Sequence, residues 1–279
     1  MCFRAYRGTF GDPRPAGLAG LALPPAPMPA WAGSRPLKAW RYVGVFGDEL
    51  MVCAALVRVG PARQAFWAVL DRRTGRLSER TVTGRGRGRV ALPPGRLIVR
   101  DRGVDVDITL EETAGIETVC PAERAYAWTR KQGGVAAHGT VRLGDETVAV
   151  RARGVIDDTA AYYPRHTAWR WSAGVGRSRD GRDVAWNLVA GVNDPPTGSE
   201  RTMWIDGIAD EAPPVAFAAD LSGVGELRFT AEAERARREN LLVVRSAYRQ
   251  PFGRFAGRLP GGVELAAGVG VMEEHDVHW

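Results

Sequence analysis

Hydrophobic and polar residues alternate along much of this chain, and the alternation predicts β-strands. In residues 104–111 every second residue is apolar and the residues between are polar, and residues 226–233 repeat the pattern. Because the side chains of a strand point to its two faces in turn, such segments bury one face and expose the other. Residues 231–240 contain helix-forming residues, but the alternation before them favours a strand over most of this segment.

Short turn signals separate further apolar segments. Residues 40–45 and Leu50–Val59 flank a Gly-Asp turn, and so do residues 141–143 and 148–150, which predicts two hairpins. The other predicted strands are residues 65–70, 77–83, 241–248, 254–259 and 263–271. Strands that recur every ten residues or so indicate an antiparallel all-β fold, and closure into a barrel would remove the exposed sheet edges.

Two changes of composition suggest how the chain is divided. Residues 1–35 are rich in proline, glycine and alanine without a period, which predicts an irregular lead-in. The strand pattern breaks at Cys120-Pro121 and again at residues 131–134. We therefore expect an N-terminal unit of residues 36–125 and a C-terminal unit of residues 126–279.

A tryptophan-rich hairpin is the most distinctive stretch. Trp169 and Trp171 are two residues apart, so both indoles project from one face of a strand. Turn signals follow in residues 174–183, and the predicted return strand carries Trp186 and, facing the opposite way, Asn187. A single tryptophan most often fills a core, whereas three on one hairpin beside acidic and histidine residues indicate a ligand pocket.

Acidic and histidine side chains precede this hairpin. A carboxyl group of Asp157 or Asp158, if held among indoles, would have a raised pKa and act as a general acid. The alternative is an aspartate turn that hydrogen-bonds its own backbone. His166, close to Tyr163, is either a general acid or base or a hydrogen-bonded core histidine.

The densest polar cluster lies at the C-terminal end, in residues 273–279. It offers carboxylates and imidazoles, but it lacks the His-Glu-x-x-His spacing that places two imidazoles one helical turn apart, and no metal or cofactor is predicted. One interpretation is a solvated charged tail. The apolar strand before it and the terminal Trp279, which is costly to expose, instead favour Glu273, Glu274 and His275 as site residues.

Composition and charge narrow the class of protein. With 279 residues, 45% hydrophobic and 25% charged, the chain is typical of a globular protein. The net charge of +6 comes from 38 basic residues, of which only Lys38 and Lys131 are lysines, scattered among 32 acids. This pattern indicates a coding bias rather than a nucleic-acid partner. The Arg-Gly run of residues 85–89 predicts an exposed turn, with an anion-binding loop as the alternative.

The sequence argues against several cellular locations and several kinds of functional site. Cys2, Cys53 and Cys120 are too few and too far apart for a disulfide framework or a zinc knuckle, so a cytoplasmic protein is expected. Prolines at residues 24, 25 and 27 cut short the apolar residues 17–23, which argues against a signal peptide. No window approaches the roughly eighteen apolar residues of a membrane span. The motifs of serine hydrolases, P-loop proteins, dinucleotide-binding folds and Cys-x-x-Cys redox proteins are missing. The sequence leaves the oligomeric state open.

Several motifs together resemble a bacterial family of unknown function. They are Trp-Thr-Arg-Lys-Gln at residues 128–132, Asp-Asp at 157–158, Tyr-Pro-Arg-His-Thr-Ala-Trp-Arg-Trp at 163–171, Trp-Asn-Leu at 186–188, Phe-Gly-Arg-Phe-Ala-Gly at 252–257 and Glu-Glu-His-Asp-Val-His-Trp at 273–279. The resemblance covers residues 36–279 and departs around residues 111–124, where this chain is shorter.

That family is more distantly similar to the carotenoid hydratase and lipocalin-like hydrolase group. The resemblance implies two consecutive lipocalin-like antiparallel β-barrel or sandwich units with an apolar cavity. The same fold group includes pericyclase-type and tocopherol-cyclase-like proteins that act on prenyl or polyketide chains. Fold does not fix function, so the resemblance does not supply a reaction.

Three functions remain as hypotheses. The first is an enzyme of the hydratase, cyclase or isomerase type that acts on a hydrophobic, isoprenoid- or polyketide-like small molecule. The second is a lipocalin-like carrier or sensor of a hydrophobic ligand, and the third is a structural protein with a filled core. The catalytic candidates are Asp157, Asp158, His166, Glu273, Glu274 and His275. The substrate-binding candidates are Tyr163, Trp169, Trp171, Trp186, Asn187 and Trp279.

Overall fold

The computed structural model describes residues 3–240 and 245–279, without the side chains of residues 85–87. In this part of the chain almost every element is an antiparallel β-strand, so the predicted all-β fold is confirmed. Two short 3-10 segments, Ala16–Leu18 and Gly84–Arg89, interrupt the strands. No helix among the described residues has the length and apolar character needed to cross a membrane.

Thirteen strands lie in the described residues up to Ala161. In chain order they are β1 (Tyr6–Thr9), β2 (Trp31–Ala32), β3 (Arg35–Pro36), β4 (Lys38–Phe46), β5 (Leu50–Val59), β6 (Ala62–Asp71), β7 (Arg76–Thr83), β8 (Val90–Ala91), β9 (Arg96–Asp101), β10 (Val104–Leu110), β11 (Ile116–Ala122), β12 (Ala125–Leu143) and β13 (Glu146–Ala161). Eleven of them form the first sheet, in the order β7-β6-β5-β4-β13-β12-β10-β9-β8, with β11 joining β12 to β1. Strands β2 and β3 form a separate ribbon.

Eight further strands form the second sheet. They are β14 (His166–Ser178), β15 (Asp183–Ala190), β16 (Thr202–Ile205), β17 (Ile208–Glu211), β18 (Gly223–Val224), β19 (Leu227–Asn240), β20 (Arg245–Arg258) and β21 (Glu264–His278). Their order is β17-β16-β15-β14-β21-β20-β19-β18, so the C-terminal strand β21 lies between β14 and β20.

The predicted hairpins and strands agree with this topology. Strands β4 and β5 form the hairpin at the first Gly-Asp turn, and β12 and β13 form the second. Residues 231–240 are strand, as the alternation indicated.

Part of the strand predicted at residues 241–248 lies outside the described residues, as do Cys2 and the arginine side chains of residues 85–87. The predicted boundary at residue 125 falls inside the first sheet, and the chain passes to the second sheet between Ala161 and His166.

Strand β4 shows how the two sheets come together. Val43 and Val45 point into a core enclosed by the first sheet alone, whereas Tyr42 and Phe46 belong to a second core that also contains Trp171 from the second sheet. Both faces of β4 are therefore buried, which accounts for its nearly continuous apolar sequence. The first sheet curls around its own interior and packs its outer face against the second sheet.

The described part of the lead-in, residues 3–35, contains only the short elements β1 and β2, one 3-10 segment and the start of β3, and its apolar side chains are packed. Leu18 and Leu23 are buried in a cluster with Trp128, and the hydroxyl of Tyr126 donates a hydrogen bond of 2.9 Å to the carbonyl of Ala22. The apolar side chains of the lead-in therefore cover one end of the first sheet.

Candidate functional site

A cavity of about 530 Å³ lies between the two sheets and is the candidate site. Its volume is in the range of small-molecule sites, and its walls are mainly aromatic and aliphatic. The first sheet contributes residues of β4, β5 and β6, and the second contributes residues of β14, β20 and β21. The aromatic side chains of the walls are Trp40, Tyr42, Phe66, Tyr163, Trp169, Trp171, Tyr248 and Trp279.

A larger depression of about 810 Å³ lies mainly over the outer face of the second sheet. Its charged residues are largely paired with each other: Arg170 contacts Glu274, and Arg249 contacts Glu234. Exposed ion pairs of this kind are ordinary on protein surfaces. The buried carboxyl groups that could do chemistry lie instead in the cavity between the sheets.

Two stacked indoles hold one carboxyl group each. The rings of Trp40 and Trp169, one from each sheet, lie 6.0 Å apart and are inclined by only 10°. Trp40 donates its Nε1–H to Oδ2 of Asp157 at 3.1 Å, and Trp169 donates to Oε1 of Glu273 at 2.8 Å. Asp157 and Glu273 are both buried, so the sheets bring two carboxyl groups to the ends of one aromatic pair.

Asp157 belongs to a buried charged network. The ammonium of Lys131 contacts Oδ1 of Asp157 and lies 3.4 Å from Oε2 of Glu200. Asn193 donates to the same oxygen of Glu200 at 3.0 Å and to the hydroxyl of Tyr163 at 2.6 Å. Burial by itself would lower the pKa of Lys131, but the charges of Asp157 and Glu200 outweigh it and raise that pKa. Burial also raises the pKa of Glu200, although the positive charge of Lys131 acts to lower it. Lys131 therefore stays a cation that compensates Asp157.

Glu273 has a different environment, because its hydrogen bonds come from neutral donors. Oε1 accepts from Trp169, while Oε2 accepts from the hydroxyl of Tyr248 at 3.0 Å and from the amide of Gln250 at 2.9 Å. Burial raises the pKa of Glu273 to about 7, although the bonds from Trp169 and Tyr248 oppose the change. Near neutral pH both protonation states are populated, which suits a general acid or base.

His275 lies beside the same indole. Its ring meets Trp169 edge-on with centroids 4.5 Å apart, and Nε2 lies 2.8 Å from the hydroxyl oxygen of Ser246. Burial lowers the pKa of His275 to about 4, so the imidazole is neutral at neutral pH. A neutral imidazole on the cavity wall is a hydrogen-bonding group for a ligand and adds no further positive charge.

Seven of the residues selected from the sequence line the cavity, and an eighth lies directly behind its wall. Asn187 accepts a hydrogen bond of 2.8 Å from Nε1 of Trp171 and donates one of 2.9 Å to the carbonyl of Glu200. It thereby connects the wall to the charged network. The seven lining residues are Asp157, Tyr163, Trp169, Trp171, Glu273, His275 and Trp279.

The other four selected residues lie elsewhere, because alternate residues of a strand face opposite sides. Asp158 pairs with Arg41 at 2.8 Å, and Glu274 pairs with Arg170 at 2.8 Å, both away from the cavity. His166 is exposed at the start of β14. Trp186 is on the opposite face of the second sheet from Trp171 and packs in that sheet's own core.

Sequence reasoning missed several residues of the site, and five of them bear directly on the two buried carboxyl groups. Lys131 carried a usable signal, since it is one of only two lysines among 38 basic residues and precedes the glutamine of the recognised motif. The others come from strands or loops with no distinctive local pattern. They are Trp40, Glu200, Tyr248 and Gln250.

Comparison with solved structures shows that the chain has a known fold. An AttH-type protein of Nitrosomonas europaea superposes with a TM-score of 0.53 at 12% identity, covering 92% of this chain and 99% of that one. Kievitone hydratase of Nectria haematococca gives a TM-score of 0.49 at 10% identity, covering 87% and 88%. CghA bound to Sch210972 gives 0.39 at 10% identity, covering 98% and 97%. At such identities the likeness to the first of these concerns the fold alone.

The sequence comparisons identify the family. No curated protein matches the chain. The model of a domain of unknown function, DUF2804, matches residues 94–279, which is most of the chain and includes both buried carboxyl groups. This match confirms the resemblance drawn from the motifs to a family of unknown function. The AttH-type protein shares the fold. The chain belongs to the DUF2804 family.

Proposed function

We propose that the protein is an enzyme of the hydratase, cyclase or isomerase type that acts on a hydrophobic, isoprenoid- or polyketide-like small molecule. The observation that carries the proposal is Glu273, a buried carboxyl group on the wall of an aromatic cavity whose pKa is raised to about 7. A carboxylic acid that keeps its proton near neutral pH is able to protonate an alkene or a carbonyl group.

The first step of each of these reactions is the same proton transfer. Oε1 of Glu273 accepts a single hydrogen bond, from Trp169, so its second lone pair is the position from which a proton would pass to the substrate. Protonation of an alkene leaves a carbocation. The faces of Trp40 and Trp169 would stabilise that cation, since the ring quadrupole attracts positive charge.

The second step decides the product. Addition of water to the cation gives an alcohol, attack by another double bond of the substrate gives a ring, and loss of a different proton gives an isomer. In the hydration, the proton released by water passes to a carboxylate, for which Asp157 is the candidate because it lies at the other end of the indole pair. Glu273 and Asp157 would then act as acid and base.

The test is exchange with deuterium oxide. The protein is incubated in deuterium oxide with an organic extract of its host, and metabolites are compared by mass spectrometry. A hydrophobic metabolite should gain deuterium on carbon with the wild type, and this gain should be lost in Glu273→Gln. Glu274→Gln is the matched control, because the neighbouring side chain lies on the other face. Equal deuterium gain in Glu273→Gln and the wild type would refute the role of Glu273.

A carrier or sensor of a hydrophobic ligand is the second candidate. The observation that favours it is the completeness of the Lys131, Asp157 and Glu200 network, whose charges compensate each other without a ligand. If the protein is a carrier or sensor, one enriched metabolite should stay bound to the wild type during purification. That metabolite should gain no deuterium when the protein is incubated in deuterium oxide. Glu273→Gln would then bind the metabolite as the wild type does.

A further inference from the structure

Three side chains of metal-ligating type meet at one end of the second sheet, on the face turned away from the cavity. His166 on β14 and His278 on β21 are direct cross-strand partners. Asp276 lies two residues before His278, so both point to the same face. One ligand atom from each residue lies within 4.8 Å of the others. The proposed reaction uses none of the three.

The distances are close to those that a small cation requires. Oδ1 of Asp276 lies 3.1 Å from Nε2 of His166, and the rings of His166 and His278 are stacked with centroids 4.2 Å apart. Zinc binds nitrogen and oxygen ligands at about 2.0–2.2 Å, so two ligand atoms of a tetrahedral site lie roughly 3.3 Å apart. The first pair already meets this requirement. The ligand atom of His278 lies within 4.8 Å of the other two, and its exposed ring would have to turn to bring that atom to the required distance.

The backbone holds these residues in place. Strand β21 is hydrogen-bonded to β14 on one side and to β20 on the other, so its register is fixed at Asp276 and His278. Residues two apart on one strand, with a partner directly opposite on the next, lie within reach of a common ion. The side chains are exposed, so an ion has direct access.

We infer that His166, Asp276 and His278 form a binding site for a divalent transition metal, with zinc as the ion that best fits the donors. Two imidazole nitrogens and one carboxylate oxygen are ligands that zinc accepts, and three protein ligands leave one position for water. The bound ion would fasten the first residue of β14 to the end of β21. It would thereby hold the end of the chain that carries Glu273, His275 and Trp279.

One neighbouring charge opposes the ion. Arg245 on β20 is the other cross-strand partner of His278, so it is on the same face, and it is exposed. Its positive charge repels a cation and competes for Asp276. Replacement by glutamine, Arg245→Gln, is therefore expected to tighten metal binding.

The test is calorimetric titration of the full chain with zinc chloride, together with the absorption spectrum of the cobalt form. The wild type should bind one zinc ion saturably, and the cobalt form should show the visible bands of tetrahedral coordination. His166→Ala and His278→Ala should each weaken binding by about tenfold or more, since each removes one of three ligands. The metal-free variants should melt as the wild type does, because the side chains are exposed.

His138→Ala is the matched control, since His138 is an exposed histidine on β12 of the first sheet. It should bind zinc as the wild type does. The inference is overturned if the wild type shows no saturable binding, or if His166→Ala and His278→Ala bind as tightly as the wild type. The titration contains no organic substrate, so its result is independent of the proposed enzyme activity.

Discussion

Replacement of Glu273 by glutamine tests the buried carboxyl group through the pH dependence of stability. The ordinary pKa of this side chain is 4.5, and burial raises the folded-state pKa to about 7. Between pH 4.5 and about pH 7 the carboxyl group of Glu273 keeps its proton in the folded protein but loses it in the unfolded chain. Stability contributed by this proton is fully present below pH 4.5 and is lost as the pH rises through 7.

The magnitude follows from the two pKa values. One pKa unit corresponds to about 1.4 kcal/mol, so the whole change in the free energy of unfolding is about 3 kcal/mol. Between pH 5 and pH 8 about 2–3 kcal/mol of it is expected, because the unfolded carboxyl group is already mostly ionised at pH 5. Glutamine has nearly the shape of the protonated acid and carries no charge at either pH. Relative to Glu273→Gln, the wild type should therefore lose about 2–3 kcal/mol of unfolding free energy from pH 5 to pH 8.

Urea unfolding of both proteins at pH 5 and pH 8 measures this difference. The comparison removes the contributions of all other titrating groups, which the two proteins share. Glu274→Gln is the matched control: it keeps Glu273 in the cavity, so it should retain the pH-dependent loss that Glu273→Gln abolishes. If the stability difference between the wild type and Glu273→Gln is the same at both pH values, burial does not raise the pKa of Glu273.

Two further substitutions probe the other interactions of the cavity. Lys131→Met should lower the free energy of unfolding by about 3–5 kcal/mol in urea denaturation, because it leaves the buried carboxyl group of Asp157 without its cation; an unchanged midpoint would contradict the buried ion pair. Trp169→Phe removes the hydrogen bond to Oε1 of Glu273 and should raise the pKa of that carboxyl group further. The carboxyl carbon signal in nuclear magnetic resonance should then titrate at higher pH than in the wild type, whereas Trp171→Phe, which removes a bond to an amide instead, should leave it in place.

The strands were predictable from the sequence because their signal is local. Residues 104–111 alternate regularly, since one face of β10 is in the core and the other in solvent. Sheet order is not local. Asp157 pairs with Tyr42 across more than a hundred residues, and the alternation of each strand says which residues share a face but not which strand lies beside it.

The site was predictable only in part for a related reason. Trp171 and Trp186 both lie on strands with two buried faces, and an apolar residue is equally suited to either face. The pattern therefore could not tell the cavity from the core of the second sheet. Glu200 follows a loop rich in proline and glycine, where neither period applies. Its place beside Lys131 depends on the packing of one sheet against the other.

The end of β21 shows how a short segment can carry two separate chemistries. Glu273 and His275 face the cavity, whereas Asp276 and His278 face outward with His166. A shift of one residue in register would exchange the two sets. Strands β14 and β20 oppose such a shift by pairing with β21 on both sides. Gly270 adds to this, because a side chain there would lie 2.2 Å from the carbonyl oxygen of Ala173 on β14, so only glycine fits at this close approach. The pairing of β21 thus fixes which carboxyl group enters the cavity.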